Sequence, residues 1–293
     1  MVDLEQKLLL GSTLCKQADF SASWYNRWRR QIANAAHELD PESRPVWDTV
    51  WRGMTDTKTM HRKLWEWCAI AQVLEERGML TADRKGIGFA VGQEPLASLF
   101  ASRNVELIAS DFIDNTPSQT WGSTGQLAVS LESIHWPGFL PFDDFCDRVT
   151  YQNIDMRQLG DVPLDAFDFS WSSCSFEHLG SLEAGIQFLI NSMACLRKGG
   201  VAVHTTEFNV SSNQNTIEIG DSVIYRRKDI ESLDCRLRRI GCALEAMDFD
   251  PGTAEHDVAF DQPPYYEDGR QHIKLQIGDY VSTSMLLIIR KWV

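Results

Sequence analysis

The pattern of apolar and polar positions divides the chain into a helical first part and an alternating second part. Between Thr57 and Arg77, apolar residues recur every three or four positions, which predicts an amphipathic helix that Gly78 ends. Further on, short apolar runs alternate with helix-type patterns, an order typical of a parallel sheet covered by helices. We therefore predict a helical N-terminal extension or lid over 1–80 and an α/β domain over 81–293.

The second part contains seven predicted strands. The last two follow one another without an obvious helix between them, which predicts that the last strand runs antiparallel to its neighbours. The fold class expected is α/β, with a doubly wound, mostly parallel, seven-stranded Rossmann-like sheet. The predicted strands are 84–88, 105–110, 148–153, 165–172, 201–207, 243–249 and 280–290, and the clearest helices between them are 93–103 and 180–196.

A glycine-rich turn follows the first predicted strand. Gly88 and Gly92 permit positive φ and the close approach of a ligand to the main chain, and Pro95 suits the first turn of a helix. The next strand ends at Asp111, where a carboxylate would meet a ribose diol. Together these features predict a nucleoside-containing ligand, which is either a dinucleotide or S-adenosylmethionine.

Charge and composition exclude several classes of protein. The 28 basic and 41 acidic residues give a net charge of −13, which opposes attraction to a phosphate backbone, so nucleic acid is not an expected partner. No apolar run reaches the roughly 18 residues that span a bilayer. The start of the chain is acidic, and the seven cysteines contain no C-x-x-C pair. We expect a cytoplasmic protein without a membrane span, a disulfide framework or a metal site.

Two segments carry a resemblance to a known family. The run from Gly86 to Gly92 resembles the acid-x-Gly-x-Gly-x-Gly first motif of the class I S-adenosylmethionine-dependent methyltransferases, with departures at Gly86, where the family has an acid, and at Ala90, where it has a glycine. The run from Cys195 to Val201 resembles the junction before the family's fifth strand. The resemblance covers about residues 84 to 291.

The resemblance implies S-adenosylmethionine as the cofactor. Asp155 and Met156 follow the third strand, at the position that receives adenine in the family, and Ser172 ends the fourth strand beside the transferred methyl group. The cofactor-binding residues that it implies are Gly86, Gly88, Phe89, Gly92, Asp111, Phe112, Asp155, Met156 and Ser172.

Methyl transfer to a hydroxyl requires that a proton leave, so we looked for a general base. His178 follows the fourth strand, His204 ends the buried half of the fifth, and Glu207 lies on the opposite face from His204 if that strand is regular. These three are the candidate catalytic residues. Glu207 is also a candidate to bind substrate hydroxyls or a divalent ion, but spacing places no second carboxylate near it, so no metal is predicted.

These observations predict a methyltransferase that carries out O-methylation of a hydroxyl on a small molecule or glycan, by in-line transfer assisted by a general base. Residues 61–66, 172–180 and 204–209 also resemble bacterial methyltransferases associated with polysaccharide pathways. One alternative is an NAD-dependent oxidoreductase, which the G-x-G-x-x-x-G spacing disfavours. Another is a catalytically inactive S-adenosylmethionine-binding module, which Gly86 and Ala90 support.

Overall fold

The computed structural model describes residues 10–39, 48–113, 127–266 and 270–293. The irregular segment between the second and third predicted strands thus lies partly outside the described residues. The strands are β1 (Ser12–Leu14), β2 (Lys85–Gly88), β3 (Glu106–Asp111), β4 (Val149–Asn153), β5 (Phe167–Ser173), β6 (Leu196–Asn209), β7 (Cys242–Leu244), β8 (Met247–Asp248), β9 (Lys274–Ile277) and β10 (Tyr280–Lys291).

Helices precede the sheet and alternate with its parallel strands. They are α1 (Ser23–Ala36), α2 (Asp48–Thr55), α3 (Arg62–Glu76), α4 (Leu96–Ala101), α5 (Leu131–Ile134), α6 (Phe142–Cys146), α7 (Leu182–Ser192), α8 (Arg227–Arg238) and α9 (Glu255–Val258). Among these described helices, none has the length and apolar character that crossing a membrane requires.

All ten described strands belong to one sheet. Its parallel part has the order β4-β3-β2-β5-β6. β10 lies antiparallel to β6, and β7 and β9 pair with β10. The mostly parallel sheet and its antiparallel last strand are as predicted. The described residues form ten strands rather than seven, because the predicted strand 243–249 is divided between β7 and β8, and because β1 and β9 are too short to give a clear alternation in the sequence.

The described residues of the N-terminal segment form the helices α1, α2 and α3 and one short strand, β1, which joins the sheet. β1 pairs antiparallel with β10, with Thr13 opposite Leu286, and parallel with β8, with Ser12 opposite Met247. A strand of three residues is too short for a pattern of period two to be recognised. The proposed division of the chain at residue 80 stays a prediction.

Two layers of apolar side chains cover the two faces of the sheet. Successive residues of β10 alternate between them: Leu286 and Ile288 belong to one core, and Leu287 and Ile289 to the other. Helix α3 packs in the first core and α7 in the second. Such alternation is the geometry of a strand that is buried on both sides.

Helix α3 begins five residues later than its apolar pattern suggested. His61 caps it, because the ring Nδ1 accepts a hydrogen bond from the Lys63 backbone N–H at 3.1 Å. Gly78 lies just beyond its end with φ of +69°, as the sequence predicted. The first turn of α3 lies against the carboxyl ends of two central strands, since Lys63 Nζ donates to the Ser173 carbonyl at 3.0 Å.

Candidate functional site

A cleft lies at the edge of the sheet where β2, β3, β4 and β5 end. Gly92 follows β2, Asp111 is the last residue of β3, and Asp155 follows β4. His178 follows β5. The predicted residues Phe112 and Met156 also line this cleft. Ligands of open α/β sheets bind at this edge, so the topology brings six of the sequence-predicted residues to one place.

The glycine turn has left-handed backbone conformations at two positions. Ala90 has φ of +47° and Gly92 has φ of +54°, and both line the cleft. A left-handed conformation costs a residue with a side chain roughly 1–2 kcal/mol, whereas glycine adopts it freely. Ala90 therefore adopts, with some strain, a backbone conformation that glycine would adopt freely.

Gly86 and Gly88 serve the packing of the sheet rather than the cleft. A Cβ atom added at Gly86 would lie 2.3 Å from Phe169 Cζ, and one at Gly88 would lie 2.4 Å from Trp171 Cζ2. Both glycines lie inside β2, next to β5. Phe89 is fully buried within the second core. These three predicted residues make room for, or belong to, the aromatic core beneath the cleft.

Asp111 ties the glycine turn to a neighbouring segment. Its Oδ2 accepts hydrogen bonds from the backbone N–H of Gly92 at 3.2 Å and of Ala128 at 2.9 Å, and its Oδ1 accepts from Phe112 N–H at 2.9 Å. Burial raises the pKa of this carboxyl. A carboxylate has about four acceptor positions, so one remains for a ligand after these three bonds.

Asp155 and Phe112 share a cation in the cleft. The Arg157 guanidinium forms a two-pronged ion pair with Asp155, with Nε 2.9 Å from Oδ1 and Nη2 2.9 Å from Oδ2. The same guanidinium lies 5.6 Å from the centre of the Phe112 ring. An aromatic ring, a guanidinium and a carboxylate together offer a flat surface with hydrogen-bonding groups at its rim, which suits a purine.

His178 presents a basic nitrogen in a defined tautomer. Its Nδ1 lies 2.7 Å from the Asp221 carbonyl oxygen, and because a carbonyl accepts only, Nδ1 carries the proton and Nε2 the lone pair. Burial lowers the pKa of this imidazole, so the ring is neutral at pH 7. Nε2 lies 4.0 Å from Glu177 Oε1.

His204 and Ser172 lie in the core, away from the cleft. Ser172 Oγ is 2.8 Å from His204 Nδ1, and the imidazole, which has no solvent exposure, lies near the rings of Phe176 and Phe188. Burial lowers the pKa of His204 to about 3. Strand alternation explains this placement: the next residue along β5, Ser173, is the one that faces the cleft.

Glu207 lies on the opposite side of β6 from His204, in a buried ionic network. It forms an ion pair with Arg62 and accepts a hydrogen bond from Ser282 Oγ at 2.6 Å. Nearby, Lys63 Nζ lies 3.2 Å from Glu66 Oε2 and 3.0 Å from Glu94 Oε1. These groups come from helices as well as strands, and we name them the acidic network: Arg62, Lys63, Glu66, Glu94, Glu177 and Glu207.

The carboxylates of the acidic network differ in how well they are compensated. Burial alone would raise the pKa of Glu66, but Lys63 and Arg62 outweigh it and lower the pKa to about 2. Burial raises the pKa of Glu94 to about 6 despite its contact with Lys63. Burial and the nearby Glu207 raise the pKa of Glu177 to about 8. Glu66 contacts both cations of the network, Arg62 and Lys63, whereas Glu177 forms no ion pair with either of them in the described structure.

The sequence did not identify several members of the acidic network as site residues. Lys63 and Glu66 are part of an amphipathic helix pattern whose docking the sequence does not reveal, and Glu94 precedes Pro95 as an ordinary polar residue of a turn. Glu177 directly precedes His178, and the sequence indicated only the histidine as a candidate base. The available signal was local: the spacing of Lys63 and Glu66 places opposite charges on one side of a helix that is buried along most of its length.

Comparison with known proteins gives weak likenesses. No protein-family model matches the chain, and no curated protein matches its sequence. Among solved structures it is similar to phosphoethanolamine N-methyltransferase 2 of Haemonchus contortus in complex with S-adenosyl-L-methionine, at 17% identity and a TM-score of 0.41. That match covers 58% of this chain and 36% of the other, so the chain spans about a third of that protein's length.

Two further structures cover more of their own length. An S-adenosylmethionine-dependent methyltransferase from Mesorhizobium loti has 14% identity and a TM-score of 0.43, with 75% of this chain and 98% of that chain covered. The 1,6-didemethyltoxoflavin-N1-methyltransferase of Burkholderia thailandensis has 13% identity and a TM-score of 0.42, with 76% of each chain covered. Similarities this weak support no inference about this protein. Its class is inferred from the topology alone, which is an α/β sheet with a ligand cleft at its carboxyl edge.

Proposed function

We propose that the protein is an S-adenosylmethionine-dependent methyltransferase whose cofactor lies in the cleft. The observation that carries this proposal is the convergence of a glycine turn, an acid and an acid–methionine pair at the ends of three adjacent parallel strands. Gly92 approaches the methionine part of the cofactor, Asp111 the ribose hydroxyls, and Asp155 with Met156 the adenine. Each of these groups lines the cleft.

The acceptor lies at the other end of the cleft, beside His178. In-line displacement at a sulfonium depends chiefly on positioning, which accounts for several kcal/mol of rate enhancement. We propose O-methylation of a hydroxyl on a small molecule or glycan, with His178 Nε2 taking the proton. Lys63 and Ser173, which line the same end, orient the acceptor. Within the predicted N-terminal extension or lid, helix α3 covers this end, since it supplies Lys63.

Cofactor binding is tested by calorimetric titration with S-adenosylmethionine, S-adenosylhomocysteine and NAD(H). We expect binding of the first two, and a loss of at least tenfold in affinity in Asp111→Asn and Asp155→Ala. Asp161→Asn, at an exposed acid outside the cleft, is the matched control. Asp111 also holds the glycine turn. If Asp111→Asn unfolds for that reason, Asp155→Ala alone tests cofactor binding. Binding of NAD(H) alone would reject the proposal.

Turnover is tested with methyl-labelled S-adenosylmethionine and a panel of hydroxyl-bearing small molecules and glycans. His178→Ala should lower the rate by about 10²–10⁴-fold, the usual contribution of a general base, without changing cofactor affinity. Transfer that is unaffected by His178→Ala would remove this residue as the base. Cofactor binding without transfer to any hydroxyl or amine would instead favour the inactive binding module.

A further inference from the structure

Three side chains with metal-binding atoms lie together behind the acceptor end of the cleft. Cys174 Sγ and one carboxylate oxygen each of Glu177 and Glu207 all lie within 4.8 Å of one another. Zinc binds its donors at about 2.0–2.3 Å, so two donors of a tetrahedral zinc ion lie about 3.3–3.8 Å apart. The three side chains therefore need to close by no more than about 1–1.5 Å to bind one ion.

Glu177 supplies an independent reason to expect a cation. Its side chain has no solvent exposure. Oε2 accepts a hydrogen bond from Thr206 Oγ1 at 3.1 Å, whereas Oε1 has no hydrogen-bond partner in the part of the chain that the structure describes. A buried carboxylate oxygen that lacks a donor is costly, and a bound cation would satisfy it.

The acidic network contains more carboxyl groups than cationic side chains. Arg62 forms ion pairs with Glu207 and Glu66, and Lys63 forms ion pairs with Glu66 and Glu94. Two cations thus face four buried carboxylates. The four carboxylates are Glu66, Glu94, Glu177 and Glu207.

We propose that Cys174, Glu177 and Glu207 bind a divalent transition-metal ion of the zinc type. A sulfur donor beside two carboxylates favours zinc over magnesium and calcium, which prefer oxygen ligands alone. The Cys174 thiol, which now donates to Glu66 Oε1 at 3.1 Å, loses its proton to solvent as the sulfur–metal bond forms. Glu207 has enough lone pairs to bind the ion while it keeps Arg62.

The position of the ion indicates its use. Cys174 lines the cleft next to His178, so the ion lies beside the acceptor rather than beside the cofactor. A divalent ion there lowers the pKa of a bound hydroxyl and thereby prepares it for methylation. This role depends on the proposed methyltransferase function, whereas binding of the ion does not.

Cobalt(II) is the probe for the site, because a thiolate ligand gives it a strong charge-transfer absorption. The full-length protein is stripped with a chelator and titrated with cobalt(II), and the ratio of zinc to protein is measured separately by mass spectrometry. We expect one ion per chain, a thiolate-to-cobalt band, and no displacement by excess magnesium. Failure of the wild-type protein to bind stoichiometric ion would overturn the proposal.

Variants identify the ligands. Cys174→Ser should abolish the charge-transfer band, and Glu177→Gln should weaken cobalt(II) binding by at least about tenfold, since even outer partners of metal ligands contribute that much. Cys235→Ser, at an exposed cysteine of α8, is the matched control and should bind as the wild type does. A band that persists in Cys174→Ser would refute the assignment. If that variant unfolds, Glu177→Gln decides, because it keeps the side-chain shape.

Calorimetry with S-adenosylmethionine on the same samples separates the two proposals. Ion binding without cofactor binding would reject the methyltransferase function and leave the metal site standing. Cofactor binding without ion binding would reject the metal site and leave the methyltransferase function standing.

Discussion

Replacement of two serines on β5 tests whether Ser172, which was predicted to bind the cofactor, instead has a packing role with His204. Ser172 Oγ is the hydrogen-bond partner of His204 Nδ1, and His204 Nε2 has no partner among the described residues. Ser172→Ala would therefore leave a buried imidazole without any hydrogen bond from the chain as described. Ser170→Ala is the matched control, because Ser170 Oγ is buried on the same strand and has no partner to lose.

The expected difference follows from the cost of an unpaired buried polar group. Ser172→Ala should lower the free energy of unfolding by about 1–3 kcal/mol. Ser170→Ala removes a hydroxyl that is already unsatisfied and should be neutral or slightly stabilising. For a protein of this size, each kcal/mol corresponds to a shift of about 2–4 °C in the melting temperature.

Thermal melts followed by circular dichroism measure the stability difference, and calorimetry on the same proteins measures affinity for S-adenosylmethionine. We expect Ser172→Ala to melt several degrees below Ser170→Ala and to bind the cofactor as the wild type does. Equal melting temperatures for the two variants would refute the reasoning. A Ser172→Ala variant of wild-type stability that had lost cofactor binding would instead restore the sequence-based assignment of Ser172 to the cofactor.

Three further predictions concern the glycine turn and the acidic network. Ala90→Gly should raise the melting temperature, because it removes the roughly 1–2 kcal/mol cost of a left-handed alanine; a fall would mean that the Cβ makes favourable contacts. Gly88→Ala should destabilise the protein by about 1–3 kcal/mol or more, because the new Cβ meets the Trp171 ring, and a denaturant midpoint unchanged from wild type would contradict this. In the folded protein the pKa of Glu94 is raised from 4.5 to about 6, so folding favours the protonated carboxyl group. The contribution of this group to the free energy of unfolding is therefore fully present below pH 4.5 and is lost as the pH rises through 6. Glu94→Gln should therefore gain about 2 kcal/mol relative to wild type between pH 4.5 and 7, and a constant difference across that range would refute it.

The sequence predicted the features that depend on local pattern and chain order. The parallel strands, the helices between them and the edge at which they end follow from hydrophobic periodicity and from turns, and these place Gly92, Asp111, Asp155 and His178 near one another. The sequence did not predict which of two neighbouring residues of a strand faces the cleft. Ser173 does so and Ser172 does not, because a shift of one residue along a strand exchanges its two faces.

The sequence did not predict the features that depend on contacts between distant segments of the chain. The acidic network joins the first turn of α3 to the ends of β5 and β6, and its members Arg62 and Glu207, which form an ion pair, lie 145 positions apart in the chain. A buried charge is energetically acceptable only with partners, and the partners of Glu66 become known only when α3 is placed against the sheet. The strained Ala90 was visible in the sequence only as a departure from a glycine motif.

The short strand β1 has a consequence for the order in which the protein assembles during synthesis. Thr13 and Leu14 pair with Leu286 and Met285, so about 270 residues are synthesised between the two strands of this pair. Pairing between such distant segments is slow to form. β1 therefore lacks this partner until translation reaches β10, and the sheet can close on this side only after that point.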